Sequence, residues 1–162
     1  MRKVDDNSMN TQQKQQKGFT IIEVILVLAI AALIFLMVFI AVPALNAGQR
    51  DTARKQDVGT VAAAVTSYVS NNQGNFPTTA QLAPYVKNYS QNTTSIAVGT
   101  AGSSTQVVKQ GQVFVVQNTT CGSTGAASNG SATQTLGAGT AAQFTVITYL
   151  EGGGGTSFCQ QS

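Results

Sequence analysis

From Val24 to Leu45 the chain runs for 22 residues without a charged side chain. As an α-helix rising 1.5 Å per residue, that stretch spans ~33 Å, enough to cross the hydrocarbon core of a bilayer. A polar, Gln/Asn-rich leader with no apolar periodicity, residues 1–18, precedes it and ends at Gly18. An ordinary secretory signal has its cleavage site after the apolar region, following small residues; here the glycine comes first. Lys14 and Lys17 before the run place the leader in the cytoplasm by the positive-inside bias, although Arg50, Arg54 and Lys55 beyond it weaken that asymmetry.

The helical pattern continues past Leu45. Val58, Val61, Ala62, Val65, Tyr68 and Val69 recur at helical spacing, while Gln56, Asp57, Thr60, Ser67 and Ser70 are expected to point elsewhere. Asp51 is placed to pair with Arg54 or Lys55 along the helix. Asn71-Asn72-Gln73-Gly74 is a stop signal. The spacing therefore predicts one helix from about Phe19 to Asn72, apolar all round in its first half (19–45) and amphipathic in its second (46–72). Pro43 removes a backbone donor inside it, and Gly48 lowers helix propensity five residues later, so a kink or local loosening is expected there.

Residues 73–162 read as a small β-rich head. Asn75 to Thr79 is a Phe-Pro loop, and Ala80 to Tyr89 allows one or two helical turns, with Pro84 in the first turn of the second. Gln106–Val108 and Gln112–Val116 are strands separated by a turn at Gly111. Gln143 to Leu150 alternates, with Phe144, Val146, Thr148 and Leu150 on one face. The Gly/Ser/Thr/Ala-rich stretch from Cys121 to Thr140 reads as a surface loop with a short strand near Thr133–Leu136. So small a sheet needs the amphipathic helix face as part of its core, together with a staple. Cys121 and Cys159, beyond a membrane segment, read as a disulfide in an oxidising compartment, with two buried thiols as the alternative.

The charge pattern excludes several functions. Of the net +3, the leader carries +2, leaving a nearly neutral body with no nucleic-acid footprint. The chain has no histidine, the usual general base and metal ligand, and no paired carboxylates in the head. Gly152–Gly155 is followed by neither Lys-Ser/Thr nor a helix, so it is not a phosphate loop. No catalytic residue, metal or cofactor is expected. Four Asn-X-Ser/Thr sequons, at Asn88, Asn92, Asn118 and Asn129, are ascribed to composition.

Glu23 stands out, because a carboxylate at the mouth of a charge-free spanning segment is either solvated at headgroup level or functional. Gly18-Phe19-Thr20-Ile21-Ile22-Glu23, after a basic leader and before about twenty apolar residues, resembles the class III signal of type IV prepilins. The motif covers residues 17–45; the remainder matches as an architecture, the α+β type IV pilin fold of one long helix (about 19–72) on a C-terminal antiparallel sheet.

The resemblance implies a prepilin peptidase that cuts between Gly18 and Phe19 and methylates the new α-amine. It implies that Glu23, fifth in the mature chain, pairs with the Phe19 amine of a neighbouring copy. Two buried charges are costly alone and together set axial register. Pro43 lies a few positions later than in the usual family pattern. The partners so implied are the peptidase, an inner-membrane assembly platform, the bilayer before assembly, and other copies and minor pilins in a helical filament. The product would be an extracellular pilus serving adhesion, twitching motility or DNA uptake, with this chain as major subunit. A pseudopilin of a type II secretion or competence system is the alternative within the class. A signal-anchored surface domain that never polymerises is the alternative outside it.

Overall fold

A computed structural model describes residues 18–100 and 104–162; of the leader read at 1–18, only Gly18 falls among them. The described residues divide into two units, one ending at Ile40 and the other beginning at Ala41. Helix α1, Ile21–Asn71, runs uninterrupted through Pro43.

In the first unit α1 is exposed throughout and, from Val24 on, apolar on every side. In the second unit it first buries side chains at Asp51 and Arg54, then at Asp57, Val58, Val61, Ala64, Val65 and Tyr68. The stop at Asn72-Gln73-Gly74 takes physical form in two left-handed residues, Gln73 (φ 56°) and Gly74 (φ 85°). The Gly74 N–H donates back to the Val69 carbonyl at 2.9 Å, satisfying an acceptor that the ended helix leaves free. The Phe-Pro loop then packs Phe76 on Phe144, ring centroids 5.9 Å apart. The short helix α2, Thr79–Leu82, begins with a capping box between Thr78 and Gln81 and buries Leu82.

Among the described residues seven strands follow: β1 Ser95–Gly99, β2 Thr105–Lys109, β3 Gln112–Gln117, β4 Thr119–Ser128, β5 Ser131–Ala138, β6 Phe144–Leu150 and β7 Thr156–Gln161. They form two sheets, ordered β1-β3-β6-β7 and β2-β5-β4. All pairs are antiparallel except β1–β3, which is parallel. The second unit is therefore layered helix, sheet, sheet. Val113, Val115, Phe144 and Val146 pack against Val58, Val61, Ala64 and Val65 of α1. From the opposite face of the same sheet, Val116, Ile147 and Tyr149 pack against Val108, Ala132 and Leu136 of the second. Period-2 alternation sends successive residues of β3 and β6 into the two cores. That is why β6 is buried at all seven positions, where a single buried face was expected.

The strands on either side of the Gly111 turn lie in different sheets, and the chain crosses from the second sheet to the first at Gln110-Gly111. Gly111, at φ 77°, turns the chain so that its carbonyl accepts from the Thr94 and Ser95 N–H groups at 2.7 and 3.2 Å. One expectation is corrected: Cys121–Thr140 is not a loop with one short strand, because β5, which contains the strand expected at Thr133–Leu136, forms a hairpin with β4 across it. Its turn is Asn129-Gly130, both residues at positive φ (49° and 73°), the geometry that a two-residue hairpin turn requires. Low apolar content misled the sequence reading. The inner face needs only Ala132, Gln134 and Leu136, and the buried Gln134 amide is satisfied by the carbonyls of Gly122 and Thr135 (3.0 Å each) and by the Ser157 hydroxyl (2.9 Å).

The sequon side chains also have structural work. Ser90 and Thr93 donate to Asp57, the Thr119 hydroxyl bonds the Val116 carbonyl at 3.0 Å, and Asn129-Gly130 is the hairpin turn. Cys121 on β4 and Cys159 on β7 are disulfide-bonded, with Cα atoms 5.9 Å apart. The bond ties one sheet to the other.

Candidate processing and assembly segment

Gly18, Phe19 and Thr20 precede the helix and are exposed, and α1 begins at Ile21. The Thr20 carbonyl accepts from the Glu23 and Val24 N–H groups at 3.1 and 3.3 Å, closing the first turn. A side chain at Gly18 would meet nothing within 4 Å, so the backbone before the helix is open to approach. Phe19 is 85% exposed, and Glu23 is exposed one helical turn further on. The two line one surface hollow with Val24, Val27 and Leu28. A carboxylate in the first turn is also favoured by the helix dipole. Beyond Glu23 the surface is wholly apolar, and α1 is long and apolar enough to cross a membrane.

Residues 13–39 match the family model of the prokaryotic N-terminal methylation motif. The chain carries the class III signal of type IV pilins. No curated protein and no solved structure matched it. The methylation motif supports a pilin-like or pseudopilin precursor and implies a structural role. It implies cleavage by prepilin peptidase and assembly with pilus components, and it fits a membrane-anchored precursor. The match ends at residue 39, so it does not extend to the head, whose α+β fold is nevertheless consistent with the pilin fold.

The remaining residues singled out in the sequence lie apart from the signal. Pro43 is inside α1, and Gly48 is exposed, with open space where a Cβ would stand. The Gly48 carbonyl accepts from the Thr52 hydroxyl at 2.9 Å, so the turn after it is supported by a side chain.

Of the charged junction between α1 and the head, only the Asp51–Arg54 pair was expected from the sequence. Glu151, just after β6, accepts from Arg50 (3.0 and 2.6 Å), Arg54 (2.5 Å) and Gln110 (2.6 Å). Asp51 accepts from Arg54 (3.1 Å) and from the backbone N–H groups of Glu151 and Gly152 (2.8 and 2.7 Å). The bond from Arg50 is the main cause holding the Glu151 carboxyl down at about 2 from its ordinary 4.5; partial burial opposes it, and Arg54 and Gln110 add to it. Glu151 in turn raises the Arg50 guanidinium. Asp57, expected to point away from the apolar face, is buried and accepts from the Ser90 N–H (2.7 Å), the Ser90 hydroxyl (2.6 Å) and the Thr93 hydroxyl (2.6 Å).

One signal was available. Arg50 and Arg54 are four residues apart, hence on one helix face, and Glu151 is the one acidic residue beyond Asp57. What the sequence cannot supply is a pairing across 101 residues.

Proposed function

We propose that this chain is the major subunit of a type IV pilus, cut between Gly18 and Phe19, methylated on the Phe19 amine and polymerised into a surface filament. The observation that carries this reading is the lone carboxylate of Glu23 at the head of an otherwise chargeless, fully exposed helix surface, one turn from Phe19. In the filament Glu23 pairs with the Phe19 amine of a neighbouring copy, and the apolar surface packs against the same surface of other copies. Residues 1–18 are the removed leader, 19–45 the anchor and later the filament core, 46–72 the docked half of the helix, and 73–162 the displayed head. Pro43 and Gly48 are where the helix bends.

Support for a pilin over a pseudopilin comes from the acidic content of the head. A major pseudopilin head is expected to carry an acidic calcium site, whereas here the head's one acidic side chain, Glu151, is already committed to guanidinium and amide partners. Adhesion, twitching motility and DNA uptake are the roles open to such a filament.

The test is Glu23→Ala in the full-length precursor. The variant should insert and be cleaved normally, yet yield no sheared surface filament, because the Phe19 ammonium then has no partner to offset its burial. Filament recovered at the wild-type amount would defeat the reading.

A further inference from the structure

The part of α1 that docks on the head changes character at one point. From Asp51 to Asp57 every buried side chain is charged: Asp51, Arg54 and Asp57. From Val58 onward every buried side chain except the Tyr68 hydroxyl is apolar. The partners change as well. The charged side chains bind loop and turn residues, Glu151 and Gly152 after β6 and Ser90 and Thr93 before β1, and Glu151 in turn accepts from Gln110 between β2 and β3. The apolar ones pack mainly on strand residues, Val113, Val115, Phe144 and Val146, with Leu82 and Val86 beside them.

Hydrophobic burial is non-directional and tolerates small displacements, whereas an ion pair out of water holds only while its partner stays in place. Arg54 is 2% exposed and rests on two carboxylates, and its Nε is buried with no hydrogen-bond partner among the described residues. Moving Glu151 therefore leaves Arg54 underpaired at once. Gly154 and Gly155 just beyond Glu151 both have positive φ (85° and 92°), backbone that glycine adopts without strain.

We propose that Arg50–Asp57, together with the Glu151–Gly155 loop and the Ser90–Thr93 loop, forms an ionic latch that opens as one unit while the valine core beneath α1 stays closed. Glu151 is its pin. When the latch opens, the helix is released from the head as far as Asp57, and Val58 marks where the release stops. The division is a local-opening unit set by a switch from charged to apolar burial along one helix.

The test is amide hydrogen exchange by mass spectrometry on the full chain in detergent micelles at neutral pH, comparing wild type with Glu151→Gln. It is read on the unassembled subunit, so its outcome is independent of polymerisation. Amides of 50–57, 90–93 and 151–155 should exchange about tenfold faster in the variant, while those of 61–69 and 144–150 change less than about twofold. Uniform acceleration over all these segments, or no change at 50–57, would overturn the proposal. Should Glu151→Gln unfold, Arg50→Ala decides the matter. Its side chain is 43% exposed and its loss leaves the Arg54–Glu151 bond in place. It should give the same confined pattern at smaller amplitude, and acceleration shared by the core or absent from the latch would count against the latch.

Discussion

Replacing both cysteines, Cys121→Ser with Cys159→Ser, should lower the stability of the head by about 4 kcal/mol. The bond closes a loop over a sequence separation of 38, and in the chain-entropy model that much freedom returns to the unfolded chain when it is cut. The cost falls in a particular place. The β7 strand is an edge of its sheet and pairs with β6 alone, so without the disulfide its ties to the second sheet are reduced to contacts such as the Ser157 hydroxyl on the Thr133 carbonyl (3.0 Å) and on Gln134. The unfolding midpoint of the full chain in micelles should drop on the order of 10 °C, and reduction of the wild type should reproduce the shift. A midpoint unchanged within a degree or two would mean that the bond carries none of the stability assigned to it.

Glu151→Ala should cost about 3 kcal/mol at neutral pH, because it strips Arg54 of one of two carboxylates while leaving the guanidinium buried. The pH dependence has a definite sign. The folded-state value of Glu151, about 2, lies below its ordinary 4.5. Its contribution is therefore present above about pH 4.5 and is lost as pH falls toward 2. Denaturant unfolding of wild type and variant should differ by a constant amount from pH 7 down to about pH 5. The two should converge between about pH 4.5 and pH 2. A gap that persists at pH 2 would assign the effect to lost packing rather than to the carboxylate.

The long helix and the prepilin signal were legible because their causes are local. A chargeless run, a 3.6-residue periodicity and a glycine stop each operate within a few residues, and Gly74 does at the helix end what its sequence position indicates. The β6 strand was legible for the same reason. The β4–β5 hairpin was missed although Asn129-Gly130 is a strong local turn signal, because its strands are built from Thr, Ser, Ala and Gly, a composition ordinary in loops. The division into two sheets was not legible, because it depends on which face of β3 and β6 the second sheet covers. Asp57 shows the limit most plainly. A single aspartate beside an apolar helical stripe is ordinarily solvated, and only the fold brings Ser90 and Thr93 to it. Glu151 is the same case at longer range: two arginines one turn apart mark a cationic face, and the tertiary fold alone chooses its partner.

The central claim is that Gly18-Phe19 is a processing site and that the mature chain is a filament subunit. It is tested most directly by intact and N-terminal mass spectrometry of material sheared from the cell surface. The account predicts a chain that begins at Phe19, carries one methyl group on its α-amine and gains two hydrogens on reduction of Cys121–Cys159. A chain that begins at Met1, or sheared material from which this chain is missing, would contradict it.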